Sequence, residues 1–394
     1  MFLRPFDSLD VFQKRVLLRV DFNVPLEQNK ILDDFRIQQT LPTIKLLKEK
    51  KAKKIILVSH LGRPLKQDKK FSLKPVFDYL EGLIDEKIYF LKTSIGKELS
   101  EEIMKLPDNS IILLENIRFY QEEKENDKNF AKELAKIADC FINEAFSVSH
   151  REASSLCAIT EFLPSYSGKL LEKEIANLDK ILKNPEKPLV IVLGGAKTKD
   201  KLPLIKEFLE KADYILLGGV IANTVLKAND FSIGQSFFEK EVIGEAKEIG
   251  SKKAEVVLPG DFVVLNKENK TQIKELGLID DKDSIFDIGS MTINSFFKII
   301  SEAKTVFFNG PMGKFEDTRF SKGTNEVLKA ILGNNKAFSV IGGGETIASF
   351  KKLNSKFKIL DSVFLSTGGG AILEYLADKP LPGLKALKNL NKTL

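Results

Sequence analysis

Short, almost uninterrupted apolar runs recur along the whole sequence, each followed by glycine or polar residues and then by an amphipathic stretch. No other feature limits the fold as tightly. The runs fall at 16–20, 54–59, 88–91, 110–114, 140–143, 189–193, 213–217, 256–258, 305–308, 338–341 and 363–366. A strand with one wet face alternates apolar and polar residues, whereas a strand in a parallel sheet is covered on both faces and reads as apolar throughout. Between the runs the helical period appears, as at 202–211, where Leu202, Ile205 and Leu209 stand three to four apart. The expectation is an α/β chain with parallel sheets flanked by helices.

At 394 residues the length favours two domains. Hydrophobic residues at 43% and charged residues at 29% exclude general disorder, collagen and coiled coil. No apolar run approaches the ~20 residues that cross a bilayer, so no membrane partner is expected. The segment 168–188 marks a boundary. Leu171, Ile175, Leu178 and Leu182 keep helical spacing, and Pro185 and Pro188 close the stretch. It reads as one helix joining two lobes, with an ordinary covering helix inside one domain as the alternative. The tail PLPGLKALKNLNKTL holds two prolines and a weak helix that either packs back or frays.

Two isolated cysteines, Cys140 and Cys157, form no disulfide framework and fit a reducing compartment. With an N-terminus lacking a secretion signal, they give a cytoplasmic expectation. The net charge of +6 is 61 basic against 55 acidic residues, a mixed surface without tryptophan, so nucleic acid is not an expected partner.

The basic residues are unevenly distributed. Only eight are arginines, and seven of these lie at or before position 151, as do both histidines, His60 and His150. Arginine is the rigid, bidentate fork for carboxylate and phosphate. In open parallel sheets ligands bind beyond the carboxyl ends of the strands. In the first half those ends read RVDFNVP (19–25), SHLGRP (59–64), ENIRF (115–119) and NEAFSVSHR (143–151), offering Asp21, Asn23, His60, Arg63, Arg118, His150 and Arg151. Such a set suits a small, multiply anionic molecule; Asp21 either meets the ligand or pins a neighbouring arginine.

In the second half the strand ends are glycines: LGGAKTKDK (193–201), LGGVIAN (217–223), FNGPMGKFE (308–316), IGGGET (341–346) and STGGGA (366–371). Glycine lets backbone amides approach a ligand, and a helix N-terminus behind it favours phosphate. Lys197 and Lys201 follow one of these loops; if a helix begins there they lie one turn apart on one face. No P-loop, dinucleotide fingerprint or kinase catalytic-loop pattern is present. Magnesium held by phosphates and one carboxylate fits either Glu316 or Glu345.

Taken in order, RVDFNVP, SHLGRP, ENIRF, AFSVSHR, GGAKTKDK, NGPMGKFE, GGGET and STGGGA resemble the phosphoglycerate kinases over nearly the whole chain. The resemblance implies two Rossmann-like lobes, a first domain at 1–168, a hinge helix at 169–185, a second domain at 186–379, and a tail at 380–394 returning to the first. It implies reversible, magnesium-dependent phosphoryl transfer between 1,3-bisphosphoglycerate and ADP by a monomer of glycolysis. The substrate positions it implies are Asp21, Phe22, Asn23, Arg36, His60, Leu61, Gly62, Arg63, Arg118 and Arg151. For ATP or ADP they are Lys197, Lys201, Gly219, Asn309, Pro311, Gly313, Glu316, Gly342, Gly343, Gly344, Glu345 and Thr346. Arg36, Lys197, Gly343 and Gly344 would stabilise the phosphoryl group in flight, and Glu345 would hold the metal.

Three positions depart from the family pattern. Glu345 and Glu144 replace the usual aspartates, and Glu152 follows Arg151, where it can pair with it. Two other functions compete. DIGSMT (287–292) echoes the phosphate loops of actin-like sugar kinases, which would need a second such loop and a carboxylate base. A non-catalytic nucleotide-binding regulator would have lost Arg36 or Lys197, and both are present.

Overall fold

A computed structural model describes residues 3–249, 254–353 and 360–388. Their described parts divide into two compact units, Met1–Ile175 with Pro380–Leu394, and Ala176–Lys379. The division falls inside the helix Lys169–Leu182.

The first unit is built on a six-stranded sheet in the order Ile88–Leu91, Ser110–Leu114, Lys54–Val58, Arg15–Arg19, Cys140–Asn143, Ser165–Ser167. Every pairing in it is parallel. Successive residues of a strand face opposite sides, and here the two sides hold separate cores. Val16, Leu18, Ile55, Leu57, Ile111 and Leu113 pack with the helices Phe35–Glu49 and Lys74–Glu81. Leu17, Ile56, Val58, Ile112 and Leu114 pack with Lys97–Lys105 and Lys128–Ala135. Both faces are dry, and this is why the runs carry no alternation. Leu387 of the helix Pro382–Lys388 joins the second core.

The second unit repeats the plan with Glu255–Val257, Tyr214–Leu217, Leu189–Leu193, Thr305–Asn309, Phe338–Gly342 and Val363–Leu365, again wholly parallel. All eleven apolar runs are strands, within a residue or two at the ends. An antiparallel sheet of Asp261–Leu265, Thr271–Glu275 and Ser284–Ile288 was not expected. Its outer strand TQIKE is almost wholly exposed, so it lacks the apolar signature. The strand SYS at Ser165–Ser167 also lacks the signature, for a different reason: its serines are buried, and their hydroxyls donate to the Leu163 and Arg4 carbonyls.

Among the described residues no helix is long and apolar enough to cross a membrane. Both cysteines are free and buried, as small hydrophobes.

Candidate functional site

In the first unit the strand Arg15–Arg19 ends in the turn Val20–Asn23, which local bonds hold tightly. Phe22 is buried and its N–H donates to Ser59 Oγ at 2.8 Å. Asn23 N–H donates to Asp21 Oδ1 at 3.0 Å. Asn23 Oδ1 accepts from Gly62 N–H at 2.8 Å, tying this turn to the loop behind Lys54–Val58, where Leu61 is buried.

Arg36 enters from the first turn of Phe35–Glu49. Its Nη1 lies 2.8 Å from Asp21 Oδ2 and 3.1 Å from the Asn23 carbonyl. Burial alone would raise the Asp21 pKa, but Arg36, the Ser147 hydroxyl and the Asn23 amide carry it well below the usual carboxylate range. Arg118 donates to the Gly62 carbonyl at 2.7 Å. Burial, with Arg19 and Arg151 nearby, lowers its pKa to about 10, so it stays charged at neutral pH. Arg118 and Arg151 border a recess of about 90 Å³ that Glu152 also lines. Arg63 is exposed and has no hydrogen-bond or ion-pair partner among the described residues.

The histidines do not add to this charge. Burial holds His60 well below its ordinary pKa, and burial with Arg151 lowers His150 to about 4. Both are neutral at pH 7, so the positive potential comes from the arginines, with Lys124 at the recess, and not from the imidazoles. No side chain in this cluster is a base raised into the neutral range and aimed at a ligand.

Glu144 follows the strand Cys140–Asn143 and is fully enclosed. Its Oε1 accepts from the Thr43 hydroxyl and from Leu170 N–H at 3.0 Å, in the first turn of Lys169–Leu182. Its Oε2 has no hydrogen-bond partner among the described residues, and burial pushes its pKa to about 7. Gly168 leaves the room it needs: a Cβ there would meet Oε2 at 1.7 Å.

In the second unit the glycine loops bind to one another through their backbones. Gly195 N–H donates to the Pro311 carbonyl at 2.7 Å, Gly219 N–H to Met312 at 2.9 Å, and Val220 N–H to Gly195 at 3.1 Å. Gly219 has a φ of +57°, and a Cβ on it would sit 2.7 Å from Gly195 N, so only glycine allows this approach. Asn309 Nδ2 donates to the Gly342 carbonyl at 3.0 Å, and Gly310 N–H to Thr346 Oγ1 at 2.7 Å. The strands Thr305–Asn309 and Phe338–Gly342 therefore end in one braced surface.

Beside it opens a cavity of about 520 Å³, lined by Gly195, Gly219, Pro311, Gly313, Glu316 and Glu345, with Phe237, Phe262 and Phe286 giving it an apolar side. Its volume and its mixture of apolar wall and backbone polar groups suit a small organic ligand. Lys201 is buried, and its Nζ donates to the Gly194 carbonyl. Burial lowers its pKa to about 8 against the opposing pull of Glu345. Lys197 is placed differently from Lys201. The helix begins at Thr198, so Lys197 is its exposed N-cap with non-helical backbone, and the two lysines do not share a helical face.

Among the described residues no three His, Cys, Asp or Glu side chains cluster around a point that would cage a metal. Three carboxylate residues line the cavity, Asp287, Glu316 and Glu345; Asp287 is taken up by backbone amides, which leaves Glu316 and Glu345. That donor set fits a hard ion that takes most of its ligands from phosphate and water.

DIGSMT proves to be the end of the strand Ser284–Ile288 and the start of the helix Ser290–Glu302. Asp287 accepts from Gly323 N–H at 2.7 Å and Ile288 N–H at 2.9 Å. Its carboxylate joins protein segments, and burial raises its pKa to about 7 against those two bonds. The apolar cavity wall and Arg19 were not foreseen. Phe237 carries no motif, and Arg19, though it opens RVDFNVP, is the last residue of its strand and not one of the positions beyond the end.

A family model described as phosphoglycerate kinase matches residues 6–379. The phosphoglycerate kinase of Borreliella afzelii is 43% identical over 387 residues, covering 95% of this chain and 96% of that one. That of Dictyoglomus turgidum is 42% identical over 387 residues, covering 96% and 97%. Among solved structures, the phosphoglycerate kinase of Coxiella burnetii superposes with a TM-score of 0.85 at 35% identity, over 99% of this chain and all of that one. That of Pyrococcus horikoshii gives 0.88 at 32% identity with the same coverage.

Proposed function

The chain belongs to the phosphoglycerate kinase family and is a phosphotransferase, and on that premise we propose that it moves the acyl phosphate of 1,3-bisphosphoglycerate to ADP, reversibly and with magnesium, in glycolysis. The observation that carries the reading is the division of chemistry between the two units. Arginines around the Asp21–Arg36 pair gather at strand ends of the first, while braced glycine amides and a 520 Å³ cavity gather at strand ends of the second.

Phosphoryl transfer proceeds through a loose transition state whose charge spreads over three oxygens, so catalysis is chiefly positioning and electrostatic stabilisation. In the reverse direction the attacking group is a carboxylate, ionised at neutral pH with a pKa near ~3.5–4. No base is needed, in keeping with the two neutral histidines. Asp21, Phe22, Asn23, Leu61, Gly62, Arg63, Arg118 and Arg151 shape and charge the phosphoglycerate site. Asn309, Pro311, Gly313, Glu316 and Thr346 shape the nucleotide site, with Lys201 supplying charge. Arg36, Lys197 and the amides of Gly342, Gly343 and Gly344 meet the phosphoryl group as it crosses.

Magnesium would be held by Glu345 and the nucleotide phosphates, where it would neutralise charge on the β and γ oxygens. The longer glutamate side chain reaches further than aspartate by one methylene. With the two ligands on separate units, transfer calls for domain closure, which also excludes water from an acyl phosphate.

A coupled assay with 3-phosphoglycerate, ATP and magnesium tests the reading. Turnover is expected, falling at least ~100-fold in Arg36→Ala. Wild-type rates in that variant would refute the role of Arg36, and no turnover in the unaltered protein would refute the activity.

A further inference from the structure

Arg19 is only 1% exposed, yet it carries a charge. A guanidinium is tolerated at such a place only when it is paired and hydrogen-bonded. Its Nε donates to Ser155 Oγ at 2.8 Å, and its Nη1 to the Val20 carbonyl. Its Nη2 faces Nδ1 of His60 at 3.4 Å. Ser155 is anchored in turn by Glu123, whose Oε1 accepts from the hydroxyl at 2.6 Å and Oε2 from the amide at 2.9 Å. Glu123 is itself 2% exposed and supplies the countercharge.

At 3.4 Å the contact with His60 is long, and it is a hydrogen bond only if Nδ1 accepts. A guanidinium has donors and no acceptor, so the atom it faces must offer a lone pair. A neutral imidazole carries one proton, and with Nδ1 as acceptor that proton is on Nε2. The competing partner for Nδ1 is Asp21 Oδ1, at 3.9 Å, beyond hydrogen-bond reach. Nε2 has no hydrogen-bond partner among the described residues. The charged groups around the ring are Asp21, Arg19, Arg36 and Arg118, and burial keeps the ring neutral among them.

We propose that Arg19 is a positioning residue that fixes the tautomer of His60, so that the histidine meets the phosphoglycerate through an Nε2–H donor. Glu123 and Ser155 hold Arg19 for this task. The consequence for the ligand rests on the reading of this end as the phosphoglycerate site; the tautomer does not. In that site the arginines supply charge, and His60 supplies one directional donor that only an oxygen acceptor satisfies. The opposite tautomer would present a lone pair to an anion.

Two-bond ¹H–¹⁵N correlation spectra of the ligand-free protein at pH 7 read the tautomer directly. The sequence has two histidines, so a His150→Gln sample assigns the signals. His60 is expected neutral with its proton on Nε2. In Arg19→Met the proton is expected to move wholly or partly to Nδ1, towards Asp21. The KM for 3-phosphoglycerate should then rise about tenfold, the loss of one hydrogen bond to a charged ligand, with the KM for ATP unchanged. An Nδ1–H or imidazolium signal in the wild type overturns the proposal, and so does an unchanged tautomer in Arg19→Met. The wild-type spectrum decides even if that variant does not fold. Failure of turnover with 3-phosphoglycerate would remove the substrate reading and leave the tautomer to be judged by the spectrum.

Discussion

Asp21 holds Arg36: Oδ2 and Nη1 are 2.8 Å apart, with the carboxylate buried and the guanidinium partly open. A buried carboxylate would repel an anionic ligand if it faced one; this one instead holds a guanidinium in place. The second hydrogen bond of Arg36, to the Asn23 carbonyl, fixes the remaining freedom of the fork.

Asp21→Asn keeps the shape and removes the charge. We expect kcat/KM for 3-phosphoglycerate to fall about 10–100-fold, because a misaligned guanidinium loses most of its effect on transfer. Stability should drop by roughly 1–3 kcal/mol at pH 7. Asp21 has a folded-state pKa below its unfolded value. Its contribution is therefore present above the unfolded pKa of about 4 and lost as pH falls below it. Denaturant midpoints of the two proteins should converge as the pH falls below about 4; a constant gap across the range would sink the ion-pair account.

Glu144 has the opposite sign. Its folded-state pKa of about 7 exceeds the unfolded value, so the native state holds a proton that the unfolded chain lacks between roughly pH 4.5 and 7. Stability from this group falls as pH rises through that window. Glu144→Gln keeps an acceptor for Thr43 and Leu170 and has no charge to bury. It should be more stable than wild type by roughly 1–2 kcal/mol at pH 8, with the two equal near pH 4.5, in thermal or denaturant unfolding. Greater wild-type stability at pH 8 would contradict this.

Lys201, with a pKa of about 8, loses its charge in a range accessible to kinetics. Phosphate needs the ammonium, so the KM for ATP should climb above pH 8, approaching tenfold per pH unit. Lys201→Met should raise that KM at least ~10-fold at pH 7 and abolish the climb. A pH profile identical in both proteins would exclude Lys201 from nucleotide binding.

Adjacent glycines should respond differently to a methyl group. Gly343 has a φ of +95°, and a Cβ there would lie 2.9 Å from Asn309 Nδ2. Gly343→Ala should cost about 1–2 kcal/mol of stability. A Cβ on Gly344 meets nothing within 4 Å, and the residue starts the helix Gly344–Leu353. Gly344→Ala should keep or slightly raise the melting temperature, and a loss of turnover there would report on the ligand. Equal destabilisation by both would contradict the geometry.

The strands were legible because a residue buried on either face must be apolar, whatever lies above it; Leu17 and Leu18 face different cores and look alike in sequence. Strands that bury little, such as Thr271–Glu275, left no mark. At the candidate site, position after a strand picked out Asp21, His60, Arg118 and Lys201. It overlooked Arg19, the last residue of a buried strand, because nothing local tells whether a strand's terminal side chain packs inward or meets a ligand. It also took the histidines as part of a cationic set, since charge state depends on burial that no motif encodes.

The sequence by itself determined the α/β plan, the contrast between an arginine-bearing half and a glycine-rich half, and the family. These follow from local pattern: apolar runs that must be dry, and glycines where the backbone must turn. Only the tertiary structure decided that Asp21 orients Arg36, that the histidines are neutral, that Lys197 caps a helix while Lys201 is buried, and that one oxygen of Glu144 is enclosed beneath Gly168. Protonation and pairing depend on desolvation and on charges brought close from distant positions, and neither quantity exists until the chain has folded.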